Sequence, residues 1–159
     1  ETGLQAAKVD TLQVKSPSMN KSIEVVVVSP DVAATKACPV IYLLHGYGGN
    51  ARTWVGIKPD LPKIADEKGI FFVCPDGKNT WYWDSPLNAD VRYETFISDE
   101  LVKYVDSHYK TVADRKGRAI TGLSMGGHGA MWNGLRHSDV FSAAGSTSGG
   151  VDIRPFPKN

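Results

Sequence analysis

The sequence predicts an α/β protein with a mostly parallel sheet and an antiparallel hairpin at its N-terminus. Three observations lead to this fold class. The first two strand-like segments are separated by a short turn, as in a hairpin. Continuous apolar segments follow, which are typical of strands covered on both faces. Stretches with helical spacing of apolar residues lie between these segments, and such alternation favours parallel strands with helices on both faces of the sheet.

The hairpin is predicted at residues 9–29. Apolar and polar side chains alternate over residues 9–15, which indicates a half-exposed strand. The turn at residues 16–20 contains Pro17, and the second strand, residues 21–29, is rich in valine and ends before Pro30. We therefore expect two antiparallel strands here.

After the hairpin, strands and helices alternate to residue 145. The apolar run at residues 39–44 predicts a buried strand, and the helix that follows is closed by Gly69. In order, we expect a strand at 39–44, a helix at 60–68, a strand at 70–74, a helix at 95–109, a strand at 117–123, a helix at 126–136 and a strand at 141–145. The tail at residues 152–159 has the composition of a loop.

The composition is that of one globular domain spanning residues 1–159. The chain is 42% hydrophobic and 22% charged, with a formal net charge of +1, so we expect neither a nucleic-acid partner nor a membrane partner. No apolar run approaches the ~20 residues of a membrane span. Residues 1–3 resemble a remnant of an expression tag, which fits a secreted or periplasmic protein, with a cytoplasmic one as the alternative. We expect Cys38 and Cys74 to be buried free thiols, and the oligomeric state stays open.

The segment Gly-Leu-Ser-Met-Gly-Gly at residues 122–127 carries the clearest chemical signal. It follows a predicted strand and precedes a predicted helix, which is the context of a nucleophile elbow. Ser124 at the apex is the candidate nucleophile. The N–H of Met125 lies at the N-terminus of the helix, where a developing negative charge is favoured, so its backbone is a candidate oxyanion donor.

The loop after the first parallel strand is the candidate for the second oxyanion donor. In an open α/β sheet, loops at the carboxyl ends of the strands form the ligand crevice. The segment His-Gly-Tyr-Gly-Gly at residues 45–49 lies there, and glycine lets backbone N–H groups turn inward. We select the N–H of Tyr47 as donor and place Gly46 in the binding loop.

No histidine of the chain has the sequence position of a general base for Ser124. His45 precedes the serine in the candidate oxyanion loop, so a structural role is favoured. His128 lies one helical turn after Ser124, a poor position from which to receive its proton. His108 and His137 end predicted helices.

The remaining candidates are acidic and aromatic residues. Asp76 and Asp84 could orient a histidine, but holding the loop is the favoured interpretation. An aromatic wall of Trp54 and residues 81–83 could bind an acyl, aryl or sugar group, or it could be packing; Trp54 and Trp83 are the substrate-binding candidates. No metal-ligand spacing and no phosphate-binding motif occurs in the sequence, so we expect neither a metal nor a cofactor.

Four ordered segments closely resemble the esterase D-like esterases, a family that includes S-formylglutathione hydrolases, tributyrin and feruloyl esterases, acetyl-xylan esterases and mycolyltransferases. The segments are Leu-Leu-His-Gly-Tyr-Gly-Gly at 43–49, Pro-Asp-Gly at 75–77 with Trp-Tyr-Trp-Asp-Ser at 81–85, Tyr-Glu-Thr-Phe at 93–96, and Gly-Leu-Ser-Met-Gly-Gly-His-Gly-Ala at 122–130. The resemblance extends over nearly the whole chain from about residue 9.

The resemblance implies an α/β-hydrolase fold and a Ser-His-Asp serine esterase. Ser124 would be the nucleophile, and the N–H groups of Tyr47 and Met125 would form the oxyanion hole. The aspartate and histidine of the family lie in a C-terminal portion, so the chain would lack them together with the C-terminal strands. We expect a carboxylic-ester hydrolase in the full-length protein and little activity in this chain alone. The alternatives are a non-catalytic carbohydrate- or partner-binding module and an acyltransferase.

Overall fold

A computed structural model describes residues 7–149, which form a six-stranded mixed sheet in the order β1-β2-β4-β3-β5-β6. The strands are β1 (Lys8–Ser16), β2 (Lys21–Ser29), β3 (Val40–Leu44), β4 (Phe71–Pro75), β5 (Arg118–Gly122) and β6 (Ala143–Ala144). The helices are α1 (Thr53–Ile57), α2 (Leu61–Lys68), α3 (Tyr93–Thr95), α4 (Leu101–His108) and α5 (Met125–Arg136), with a π-helical turn at Phe96–Glu100 and 3-10 turns at Asp31–Ala34 and Arg115–Gly117.

The predicted N-terminal hairpin is confirmed. β1 and β2 pair antiparallel along their whole length, from Lys8 opposite Ser29 to Ser16 opposite Lys21. β2 also pairs antiparallel with β4, so the hairpin extends the parallel part of the sheet on one side.

The other four strands are parallel, as expected. β3 lies between β4 and β5, and β6 pairs with β5 at the opposite edge from the hairpin. The chain therefore leaves β3 towards one side and later returns to its other side, which is the topological switch at which open α/β sheets bind ligands. Leu44 is opposite Gly122, so the loops after β3 and β5 begin side by side.

The valines of β2 show why the central strands are apolar throughout. Val25 and Val27 pack on one face of the sheet, together with buried residues of α3, α4 and α5. Val26 and Val28 pack on the other face, together with Leu61 of α2 and residues near α1. Since successive side chains of a strand point to opposite faces, a strand covered twice needs an unbroken apolar run. Helices on both faces were predicted and are present.

Three local features differ from the predicted elements. The helix after β4 begins at Tyr93 rather than at residue 95 and contains a π-helical turn, in which the Ser98 hydroxyl donates to the Glu94 carbonyl oxygen at 2.6 Å. α1 was not predicted, because a five-residue helix after a glycine-rich loop has almost no periodicity. β6 has two exposed residues instead of the predicted five. The predicted tail and the tag-like residues 1–3 lie outside the described residues.

The two cysteines are free and buried, as expected. Cys38 belongs to the core on the α3–α5 face, and Cys74 belongs to the core on the α1–α2 face. Burial raises the pKa of Cys74 to about 12, so its thiol stays protonated. Within residues 7–149, the helices are too short and too polar to cross a membrane.

Candidate active site

Ser124 occupies a sharp turn between β5 and α5. β5 ends at Gly122 and α5 begins at Met125, so the strand-to-helix connection has only two residues. Ser124 has φ 52° and ψ −118°, a combination that non-glycine residues rarely adopt. The Ser124 N–H donates to the Thr147 carbonyl oxygen at 2.9 Å, which ties the turn to the loop after β6. The serine is exposed at the carboxyl edge of the sheet.

Glycines on either side of Ser124 allow this turn to pack. A Cβ atom at Gly126 would overlap the Leu44 carbonyl oxygen, and one at Gly122 would overlap the Gly126 backbone. β3, β5 and the first turn of α5 therefore approach one another more closely than any other residue would permit.

The turn after β3 lies directly against Ser124. The Gly49 N–H donates to the Gly46 carbonyl oxygen at 3.0 Å, which closes a four-residue turn, and Gly48 has φ +80°. A Cβ atom at Gly46 would lie 3.4 Å from the Ser124 Cβ, so the two loops are in contact. The structure thus brings together Gly46, Tyr47 and Ser124, three of the candidates selected from the sequence.

Two backbone N–H groups lie at this contact, those of Tyr47 and Met125. Within residues 7–149, no hydrogen-bond acceptor is recorded for the N–H of Tyr47 or for the N–H of Met125. The Met125 side chain is fully buried in the core, whereas Tyr47 is 57% exposed. An unpaired N–H at a buried residue is rare in proteins, because it has lost water without gaining a protein acceptor. Both N–H groups can donate hydrogen bonds to an anionic oxygen of a ligand.

His45 is a structural residue of the loops. Its side chain is buried, and its Nε2 accepts the Gly77 N–H at 2.9 Å while its Nδ1 lies 2.7 Å from the Gly46 carbonyl oxygen. These two contacts correspond to a neutral ring with the proton on Nδ1. The ring has no hydrogen bond to Ser124, consistent with the structural role favoured from the sequence.

The other three histidines have partners away from the Ser124 hydroxyl. His128 is buried, and its Nε2 accepts the Trp83 indole N–H at 2.9 Å. His108 stacks on Tyr104 with ring centroids 3.9 Å apart at the end of α4. His137 lies beyond the last residue of α5, a helix of 12 residues that begins beside Ser124.

Asp76 and Asp84 both hold loops. Asp84 accepts the Thr95 N–H at 3.0 Å and the Thr95 hydroxyl at 2.5 Å, so it fixes the start of the helix after β4. Burial raises the pKa of Asp76, but the Lys78 N–H, which donates to Oδ1 at 2.8 Å, and the Lys78 ammonium group, 3.0 Å from Oδ2, outweigh burial and bring this pKa to about 2. Asp76 is therefore ionised in the folded protein at neutral pH.

The structure separates the aromatic residues that we expected in one wall. Trp81 and Tyr82 are buried in the core. Trp54 packs on the α1–α2 face, and its indole N–H donates to the Leu44 carbonyl oxygen at 3.0 Å. Trp83 packs on the opposite, α3–α5 face and lines a cavity of about 380 Å³ together with Thr80 and other residues of the loop. Of the two candidates, Trp83 borders open space.

A polar centre at Glu94 was missed from the sequence. Glu94 is 7% exposed, and its carboxylate accepts hydrogen bonds from two side chains of α5, Trp132 at 3.2 Å and Arg136 at 2.7 Å, and from His137 just after the helix at 2.9 Å. Burial raises the pKa of Glu94, but these hydrogen bonds outweigh burial and lower it overall. The spacing of these donors at the end of α5 was a usable signal, but only the fold shows that they meet Glu94.

Metal ligands do not cluster in the part of the chain that the structure describes. No group of three or more His, Cys, Asp or Glu side chains within residues 7–149 could hold a metal ion.

Comparisons with known proteins place the chain among esterases. The family model described as "Putative esterase" matches residues 16–157. "Esterase Rv1288" of Mycobacterium tuberculosis (strain ATCC 25618 / H37Rv) is 30% identical over 149 residues, which are 89% of this chain and 32% of that protein. "Diacylglycerol acyltransferase/mycolyltransferase Ag85A" of Mycobacterium leprae (strain TN) is 32% identical over 158 residues, which are 91% of this chain and 44% of that protein.

Solved structures of esterases have the same fold. A ferulic acid esterase is 32% identical, with a TM-score of 0.73 over 86% of this chain and 60% of that chain. The S-formylglutathione hydrolase from Agrobacterium tumefaciens is 25% identical, with a TM-score of 0.74 over 90% of this chain and 59% of that chain. The fold is thus that of the α/β-hydrolase-like esterases, as the sequence predicted.

The chain is shorter than these proteins. It spans about a third of the length of the first curated relatives that it matches, 32% for Esterase Rv1288. Because the family model covers residues 16–157, the chain belongs to the esterase family that this model describes.

Proposed function

We propose that this chain contributes the nucleophile and the oxyanion hole of a serine carboxylic-ester hydrolase. One observation supports the proposal above the others: an exposed serine in a strained turn lies beside two backbone N–H groups for which residues 7–149 provide no acceptor. Strained backbone persists where the surrounding structure holds it, and such positions cluster at active sites.

The proposed reaction begins with attack of the Ser124 Oγ on the carbonyl carbon of the ester. The Oγ proton passes to a base as the carbon becomes tetrahedral, and the carbonyl oxygen becomes an anion that accepts the N–H groups of Tyr47 and Met125. When the C–O bond to the alcohol breaks, the alcohol leaves with that proton. Water then attacks the acyl-enzyme by the same steps, which releases the acid and restores Ser124.

The base is proposed to lie outside the described residues. All four histidines of the chain lie within residues 7–149, and the hydrogen bonds that the structure gives their rings within this range are with groups other than the Ser124 hydroxyl. As the resemblance implies, we assign the histidine, and the acid that orients it, to a further part of the protein. The 159-residue chain alone should then react weakly with a fluorophosphonate probe; labelling of Ser124 as strong as in the full-length gene product would contradict this assignment.

The ester that the protein cleaves is proposed from its relatives. One similar structure is a ferulic acid esterase and another is an S-formylglutathione hydrolase, so aryl acyl groups and formyl thioesters are the first substrates to test, followed by short-chain and acetyl-sugar esters. Trp83 is the candidate contact for the substrate, because it borders a cavity formed by the loop after β4. Trp54, whose indole N–H donates to the Leu44 carbonyl oxygen, would act by supporting the end of β3 rather than by touching the substrate.

An acyltransferase is the second candidate function. It is favoured by the similarity to Ag85A, whose name describes acyl transfer. The two functions share the acyl-enzyme and differ only in whether water or an alcohol attacks it. Product analysis with and without a sugar acceptor separates them, because transfer yields a new ester and hydrolysis yields the free acid.

The test of the proposal is the Ser124→Ala variant of the full-length protein. It should lose about three or more orders of magnitude in kcat for p-nitrophenyl acetate while keeping its fold. Loss of turnover also rejects the third hypothesis, a non-catalytic carbohydrate- or partner-binding module. Turnover that survives Ser124→Ala would overturn the proposed function. A secreted or periplasmic location stays a prediction, which fractionation of the native host would check.

A further inference from the structure

The loop after β4 supports the loop that contains Tyr47. The Gly77 N–H donates to His45 Nε2 at 2.9 Å, and the Tyr82 hydroxyl donates to the His45 carbonyl oxygen at 2.9 Å. Both bonds are buried, so they fix the first residue of the Tyr47 loop from the side chain and from the backbone.

The supporting loop holds an unusual backbone. Lys78, Trp81 and Tyr82 have φ of 50°, 58° and 60°, which are three of the six positive values recorded for non-glycine residues within residues 7–149. Gly77 lies directly against the Tyr82 ring, where a Cβ atom would overlap it. Positive φ at a non-glycine residue costs of order 1 kcal/mol and requires surrounding structure to maintain it. This strained path places the Asn79 side chain beside the Tyr47 loop.

Asn79 makes one contact with the centre of the Tyr47 loop. Its Oδ1 accepts the Gly48 N–H at 2.8 Å. That N–H belongs to the central peptide of the turn at residues 46–49, and the φ of +80° at Gly48 identifies a type II turn. If the central peptide rotated, the turn would become the commoner type I, and the Tyr47 carbonyl oxygen would move to the side now occupied by the N–H. The hydrogen bond to Asn79 therefore selects one of two available turn geometries.

The geometry of this turn matters because it touches the reacting serine. Gly46 lies against Ser124, where a Cβ atom would be only 3.4 Å from the serine Cβ. An N–H stabilises an oxyanion only when it points at the position of that oxygen, and a displacement of about 1 Å can cost on the order of a hundredfold in rate.

We propose that Asn79 is a positioning residue for the oxyanion hole: by accepting the Gly48 N–H, its side-chain oxygen ties the 46–49 turn to the loop after β4 and so keeps the Tyr47 N–H in place beside Ser124. Asn79 acts through Gly48. The proposal rests on the proposed function, because it assigns a role to Tyr47 in ester hydrolysis.

The test compares three variants in the full-length protein with p-nitrophenyl acetate as substrate. Asn79→Ala removes the acceptor and should lower kcat about ten- to a hundredfold, with KM within about twofold, since only the transition state uses the oxyanion hole. Asn79→Asp keeps an acceptor oxygen and should restore kcat to within about fivefold. Asn50→Ala is the matched control: its Oδ1 accepts the Arg52 N–H at the same 2.8 Å, but outside the turn, and kcat should be unchanged.

Each outcome decides between the two proposals. If Ser124→Ala abolishes turnover while Asn79→Ala keeps the wild-type kcat, the positioning role is wrong and the serine mechanism stands. If Asn79→Ala lowers both the melting temperature and kcat, and Asn79→Asp restores neither, Asn79 has a merely structural role and the proposal is overturned. If Ser124→Ala retains turnover, the proposed function fails first.

Discussion

The contact between Ser124 and the Tyr47 loop and the centre at Glu94 handle polar groups in opposite ways. At Glu94, one buried carboxylate accepts hydrogen bonds from three side chains, so its oxygens are paired within the protein. Beside Ser124, two backbone N–H groups have no acceptor within residues 7–149, and the serine has φ 52°. Both regions lie along α5, Ser124 at its start and Glu94 near its end. The contact at Ser124 keeps hydrogen-bond donors available to a ligand at a cost in stability. The centre at Glu94 stabilises α5, the helix that begins beside Ser124.

The largest expected effect is at the glycine that lets the Ser124 turn pack. Gly126→Ala should lower the free energy of unfolding by about 3 kcal/mol or prevent folding, because the new Cβ would overlap the Leu44 carbonyl oxygen, which is backbone and cannot rotate away. Thermal unfolding followed by circular dichroism measures this.

Gly56→Ala in α1 is the matched control for Gly126→Ala. A Cβ atom at Gly56 meets no atom within 4 Å, and alanine favours the helix, so stability should stay the same or rise by up to about 1 kcal/mol. Equal losses for the two variants would contradict the proposed crowding.

A smaller loss is expected at the Glu94 centre. Glu94→Ala should lower the free energy of unfolding by about 2 kcal/mol, because Trp132, Arg136 and His137 lose their acceptor, although Arg136 is exposed enough to recover water. Urea denaturation measures the change. Glu67→Gln, which removes an exposed ion pair with Lys63, should cost less than about 0.5 kcal/mol. A Glu94→Ala loss as small as this control would mean that Glu94 does not anchor α5.

The pH dependence of the free energy of unfolding tests the role of the ionised, hydrogen-bonded Asp76. The pKa of Asp76 is lowered to about 2 in the folded protein, against about 3.9 when unfolded. A lowered folded pKa means that ionised Asp76 stabilises the fold above pH ~4, and that this contribution is lost as pH falls from about 4 to 2. Asp76→Asn should therefore be less stable than the wild type at pH 6, and the gap should close below pH 4. A gap that stays constant from pH 6 to 2 would exclude an ionic role.

The smallest effect has the opposite sign and separates the two regions most clearly. Ser124→Gly should raise the free energy of unfolding by about 1 kcal/mol, because glycine adopts φ 52° without steric cost. The same substitution should abolish ester turnover. Calorimetry and activity measured on one preparation check both halves, and a variant less stable than the wild type would show that Ser124 is not strained.

The elements that the sequence predicts correctly are those in which local pattern and burial agree. The hairpin, the parallel strands and α5 were predicted to within one or two residues, because doubly covered strands require long apolar runs and a helix requires its own spacing. α1 and the π-helical turn were not predicted, since short or irregular helices depend on the contacts of their surroundings. β6 was predicted too long, because its exposed alanines have no pattern that marks a boundary.

The sequence by itself determined the family, the layered fold and the placement of Ser124 between a strand and a helix. It did so because glycine spacing and apolar periodicity are local properties of the chain. Only the tertiary structure decided which groups meet: Gly46 against Ser124, Asn79 on Gly48, Glu94 beneath α5, and Trp54 and Trp83 on opposite faces. These contacts join residues far apart in sequence, and they depend on strand order and register, which no local pattern specifies.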